Sequence, residues 1–201
     1  MPKVRSLSEF FPGLENIPIE NIITHIGGKV NPTLLGNNLC NRIIYSQTVP
    51  TNNAELVMDL AILKEALKMH PGEYYNQNNR SILIPQEFLE RFPDIPATVR
   101  VFIDIFAAPG ITFIFLKGVE SNPKSLGTVL IPSYTKDSAV SLTLADKTYE
   151  IKAGEIKIIP APTLRADIKF SSKNAALLGK HELTTEVVGG EFGIAVDMQK
   201  A

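Results

Sequence analysis

Residues 124–197 constrain the fold more than any other stretch, because they break into short alternating apolar runs separated by turn residues. Residues 126–131 stop at Pro132, and Val140, Leu142 and Leu144 alternate with polar neighbours. After the Ala145-Asp146-Lys147 turn residues 148–151 return, and residues 155–159 end at Pro160. Ala166, Ile168 and Phe170 face one way while Arg165, Asp167 and Lys169 face the other; residues 182–188 and 192–196 complete seven runs. Short strands at this spacing, about 8–12 residues apart, predict a small antiparallel β-barrel or sandwich over residues 121–201. Gly189-Gly190 and Gly193 fit a turn and a strand interior where main chain approaches closely.

Residues 1–120 read as a mixed α/β part carrying one amphipathic helix. Leu56, Leu60, Leu63 and Leu67 recur on one helical face, and Val57 and Ala61 widen the stripe. Asn52 caps the start, Glu55 completes a capping-box pattern and His70-Pro71-Gly72 stops it, which predicts a helix over residues 53–69. The run Asn21-Ile22-Ile23-Thr24-His25-Ile26 before Gly27-Gly28 predicts a buried strand entering a tight turn. Residues 42–49 predict another strand, residues 74–80 a polar loop, and residues 86–92 one or two helical turns. Val99, Val101, Ile103 and Ile105 alternate with Arg100, Phe102, Asp104 and Phe106, which predicts a strand. The turn Ala107-Ala108-Pro109-Gly110 would fold it back onto residues 111–116, giving a Phe-rich hairpin that needs covering. Residues 118–124 predict a linker. The expected fold class is therefore α+β, mainly β.

Three segments of the closing module carry a resemblance: Ser125-Leu126-Gly127-Thr128-Val129-Leu130-Ile131-Pro132, Ile158-Ile159-Pro160-Ala161-Pro162 and Val188-Gly189-Gly190-Glu191-Phe192-Gly193-Ile194-Ala195-Val196-Asp197. Together they resemble the C-terminal region of the glutamate mutase accessory protein L family. That family belongs to the actin-like ATPase superfamily, with a β-rich tail after the ATPase core. Upstream, Ile22-Ile23-Thr24-His25-Ile26-Gly27-Gly28 followed by Pro32 is similar to the strand and double glycine of that superfamily's adenosine-binding motif. The superfamily's two phosphate motifs, the first an Asp-x-Gly-Ser/Thr turn, are absent from this sequence. Nucleotide hydrolysis depends on the positioning such elements supply, so the resemblance implies a repurposed relative without the catalytic half.

Gly27, Gly28 and Lys29 are the candidate cofactor-binding residues, because successive backbone N–H groups can cradle a phosphate. Lys29 is followed by Val30 rather than Ser or Thr, unlike a P-loop, and the plainer reading of the two glycines is a structural turn. His25, His70 and His181 are far apart and lack metal-ligand spacing. Cys40 would need a nearby histidine base to act as a nucleophile, and the carboxylates are scattered. No catalytic residue, metal site or cofactor is expected.

Twenty Lys/Arg stand against 21 Asp/Glu, and residues 125–201 hold nine of each, so no basic stripe marks a nucleic-acid partner. Cys40 is the single cysteine, which rules out an internal disulfide and points to the cytoplasm. Met1-Pro2-Lys3-Val4-Arg5-Ser6 is not followed by a long apolar core, so no signal peptide is expected. The apolar window 101–116 is interrupted by Asp104 and Pro109-Gly110, so no membrane span is expected. The favoured function is non-enzymatic: a structural or protein-interaction (assembly) protein that self-associates or docks on a larger complex by β-augmentation. The alternatives are a degenerate nucleotide-binding accessory protein of the actin-like ATPase superfamily and a small hydrolase using Cys40 or His181.

Overall fold

The structure, a computed structural model, describes residues 10–26, 31–44, 50–92, 94–117, 123–135, 138–161 and 165–199, with the main chain alone over 42–44. Among these residues about 40% lie in strands and 37% in helices, so the chain is mixed α and β without a large excess of strand. It divides into two compact units, Met1–Tyr74 with Pro85–Ile105 and Tyr75–Ile84 with Phe106–Ala201.

The first unit is helical. Its elements are α1 (Ile19–Ile26), α2 (Pro32–Ile44), α3 (Asn53–Met69), the single turn α4 (Pro71–Tyr74), α5 (Gln86–Arg91) and α6 (Ile95–Phe106), whose last residue falls in the second unit. α3 starts as its cap predicts. Glu55 N donates to Asn52 Oδ1 at 2.9 Å, and the Glu55 carboxylate reaches back to accept from Thr51 N at 2.7 Å.

Two expected strands are helices instead, so the one amphipathic helix foreseen is joined by others. Residues 21–26 lie in α1, because Ile19, Ile22, Ile23 and Ile26 also recur at helical spacing and bring Ile22 into the core. Residues 99–106 lie in α6, where Val99, Phe102, Ile103 and Phe106 follow the same rule while Arg100 and Asp104 share the exposed side. Asp94 caps α6, its Oδ1 accepting from Ala97 N at 2.9 Å. The Phe-rich hairpin is therefore not formed. Of the strand expected over 42–49, residues 42–44 end α2 and the remainder lie outside the described residues.

Aromatic packing fills this unit. The ring centroids of Phe10, Phe11, Tyr74, Phe92 and Phe102 lie 4.5, 5.6, 6.0, 6.3 and 5.8 Å from that of Phe88.

The second unit is built from strands: β1 (Tyr75–Asn76), β2 (Ser81–Pro85, whose last residue falls in the first unit), β3 (Gly110–Lys117), β4 (Lys124–Ile131), β5 (Ser133–Tyr134), β6 (Ala139–Leu144), β7 (Lys147–Lys152), β8 (Ile156–Ala161), β9 (Ala166–Ser171), β10 (Ala175–Ala176), β11 (Glu182–Val187) and β12 (Gly190–Asp197). One sheet runs β1-β2-β3-β4-β12-β8, a second runs β11-β9-β6-β7, and β5 pairs with β10. The seven strands expected between residues 126 and 196 are all present. Lys124 already opens β4, and residues 118–122 of the expected linker lie outside the described residues.

The module departs from an all-antiparallel one. β12 runs parallel to β4, because the chain returns to the first sheet only after the second has been laid down. The sheets are not closed into a barrel. Ile111, Leu130, Ile159, Ile194 and Val196 of the first sheet share one buried cluster with Val140, Leu142, Ile151, Ile168 and Phe170 of the second.

Gly127 (φ +153°) and Gly193 (φ +86°) sit opposite each other across β4 and β12. The strands approach so closely that a Cβ on Gly127 would overlap Gly193 O, and a Cβ on Gly193 would overlap Ile159 O. Ser125 Oγ donates to Gly189 O at 2.6 Å and Thr128 Oγ1 to Val188 O at 2.7 Å, which fixes the entry to β12.

Candidate functional site

A strand at the edge of a sheet carries N–H and C=O groups along its free side, and those groups are the binding chemistry it offers. In an antiparallel ladder alternate residues point these groups toward the neighbour and away from it, so one hydrogen bond sets the sense of a whole edge. Among the described residues four strands form the edges of the two larger sheets: β1 and β8 in one, β7 and β11 in the other.

Three of them are guarded. β1 is 2 residues long. On β8, Met198 N donates to Glu155 O at 2.8 Å, and the register then turns Lys157 and Ile159 toward β12 and leaves Ile156, Ile158 and Pro160 facing out. Pro160 has no N–H to present there. On β7, Ala153 N donates to Ser138 O at 2.9 Å, so Thr148, Glu150 and Lys152 face out. Two of those outward groups are occupied from within the chain. Lys157 Nζ donates to Glu150 O at 3.3 Å, and Lys152 N donates to Glu155 Oε2 at 3.0 Å.

β11 is the exception. Ser172 N donates to His181 O at 2.9 Å, so Leu183, Thr185 and Val187 bond to β9 while Glu182, Thr184 and Glu186 direct their N–H and C=O outward. Among the described residues, the one side-chain contact to this outward row is Thr185 Oγ1 on Glu186 O, at 3.4 Å. All three outward residues are exposed, and neither Pro nor Lys interrupts the strand. The arrangement can form main-chain hydrogen bonds with an extended segment laid alongside.

The outer face of the same sheet is polar. The register aligns Glu150, Ser141, Ser171 and Glu182 in one row, a residue from each strand. They line a shallow depression of ≈ 440 Å³ together with Lys173, and among the described residues no aromatic ring joins its lining.

A compact set of titratable side chains joins α1 to α3. His25 Nε2 and Lys68 Nζ both lie 2.5 Å from Glu65 Oε1, and 3.3 Å from each other. Burial alone would raise the Glu65 carboxyl, but the hydrogen bonds and positive charge of Lys68 and His25 outweigh it and hold the group below its ordinary value of 4.5. Burial, with Glu73 adding to it, pushes the Tyr74 hydroxyl well above the usual phenol range.

The remaining residues singled out by sequence are not brought together. His70 Nε2 lies 3.2 Å from Pro12 O, His181 Nδ1 lies 2.7 Å from Ala175 O, and Cys40 is exposed. Gly27, Gly28 and Lys29 lie outside the described residues. Among the described residues no group of three or more His, Cys, Asp or Glu side chains could hold a metal ion, and no helix is long and apolar enough to cross a membrane. Sequence reading did not single out Glu182, Thr184 and Glu186. The available signal was a six-residue Glu/Thr-rich strand without the Pro or Lys that marks the other long edges. Comparison of the chain with protein-family models, curated proteins and solved structures finds no match.

Proposed function

We propose that this chain is a non-enzymatic assembly protein of the cytoplasm that docks by accepting an extended strand along β11. The carrying observation is the contrast among the edges: on β7 Glu150 O and Lys152 N are taken from within the chain and on β8 Pro160 has no N–H, while Glu182, Thr184 and Glu186 face solvent. Leaving such a row open favours pairing with another strand, since each added main-chain hydrogen bond contributes about 0.5–1.5 kcal/mol. The buried cluster common to both sheets supports reading the module as a small β-sandwich, a frame stiff enough to hold that edge straight.

Amide hydrogen exchange tests the reading. The N–H groups of Thr184 and Glu186 are expected to gain protection as protein concentration rises, and those of Glu182, Thr184 and Glu186 when a pool of synthetic hexapeptides alternating Val or Thr with Ser or Lys is added. Thr184→Pro removes an outward N–H without touching the β9 ladder, so it should keep the fold and abolish that protection at the two remaining amides. Fast exchange at all three under both conditions sinks the proposal.

A further inference from the structure

We infer that the strand accepted by β11 is β11 of a second copy, run antiparallel so that Thr185 meets the partner subunit's Thr185. The inference rests on the strand-accepting reading above and adds the partner and its register.

Two conditions limit the pairing. Residues opposite each other in an antiparallel ladder share a face, so a continuous sheet requires the two-fold axis to pass through a residue rather than between two. The bonded pairs must also join residues whose groups point outward, which are Glu182, Thr184 and Glu186. Every residue-centred axis meets both conditions, and side chains then decide among them.

An axis at Leu183 or at Glu186 overlaps only the ends of the two strands. An axis at Thr184 gives a long overlap but sets Glu182 opposite the partner subunit's Glu186, twice, and like charges directly opposed are destabilising. An axis at Thr185 pairs as many residues of the strand, with two bonded outward pairs in place of three, and is free of that conflict. It sets Thr184 opposite the partner subunit's Glu186 on the exposed face. On the inner face it sets Leu183, half-buried against the core, opposite the partner subunit's Val187. Both pairings occur twice by symmetry, as a self-complementary two-fold interface requires. Glu186 also keeps its ion pair with Arg165, 3.2 Å away on its own chain. The product is one continuous sheet in which the β7-β6-β9-β11 order is repeated in reverse by the second copy.

In this register Thr185 forms a non-hydrogen-bonded pair with itself, where Cα atoms lie about 4.5 Å apart, within the range a disulfide spans. The test therefore uses Thr185→Cys, Thr184→Cys and Leu183→Cys, each in a Cys40→Ser background because Cys40 is exposed. Melting curves by circular dichroism confirm that each variant folds. After mild oxidation, non-reducing electrophoresis is expected to show Thr185→Cys mostly as a disulfide-linked pair, at least about tenfold more than either other variant, given the geometric demand of the bond. Preferential linking of Thr184→Cys or Leu183→Cys overturns the register. No linking in any variant overturns the second copy as partner. The strand-accepting reading then stands or falls separately on whether the hexapeptide pool protects the outward amides of β11.

Discussion

In the helical unit the rings of five aromatic residues lie 4.5–6.3 Å from Phe88, whereas in the sheet unit Gly127 and Gly193 bring main chain against main chain with no room for a Cβ. The two modes of packing respond differently to change. A core of side chains can lose volume by degrees as neighbours relax into the space. Two backbones in contact have no rotamer to adjust, so a single added carbon must move a strand.

The largest effect that separates the modes is expected at Gly127→Val. Its Cβ would overlap Gly193 O at a φ of +153°, so the sheet unit should lose more than about 5 kcal/mol and fail to fold. Loss of dispersed amide resonances from β4 and β12 would register this, and a melting temperature within a few degrees of wild type would break the comparison. Phe88→Ala should cost about 3–5 kcal/mol in urea denaturation, while Phe88→Leu should cost about 1–2 kcal/mol, the graded response that Gly127 lacks. Equal costs for the two Phe88 variants would count against a side-chain-packed core.

Glu65→Gln is expected to cost about 1–3 kcal/mol at neutral pH, because a buried carboxylate bound to Lys68 and His25 is replaced by a neutral amide. The folded group titrates below its ordinary 4.5, so its contribution is fully present above that value and is lost as pH falls through the lower, folded one. Wild type should therefore lose stability relative to Glu65→Gln below pH 4.5, and parallel pH profiles would refute the assignment. The smallest effect is expected at Asn52→Ala, about 1 kcal/mol from the lost cap of α3. Far-UV circular dichroism is the suitable probe, since the chain has no tryptophan.

Legibility from sequence followed the same division. The strands of the second sheet were readable because the Ala145-Asp146 turn separates β6 from β7 and one face of each is polar. β4 was readable because Pro132 ends it, whereas β8 runs on through Pro160 to Ala161. α3 was readable because its cap and its leucine spacing agree. α1 and α6 were not. Ile22-Ile23 and Val99-Arg100-Val101 are β-branched or alternating, and the same letters satisfy a helical period. Burial on nearly every side of α6 erased the polar stripe that would have decided between them, apart from Arg100 and Asp104. Asp94 ahead of Pro96 was the overlooked helix start. The Glu/Thr-rich composition of β11 was a local hint, but which of its residues face outward is not local, because the outward sense of Thr184 is set by how β11 meets β9.

The side chains that close off β7 have a bearing on stoichiometry. A sheet bare on both flanks has the valence of a monomer in a growing polymer, and each addition regenerates a reactive end. Lys157 and Glu155 act here as chain terminators on one flank, leaving β11 as a single remaining valence in that sheet. Occupying it exhausts the sheet's capacity to grow, so the geometry favours a discrete complex over a fibre.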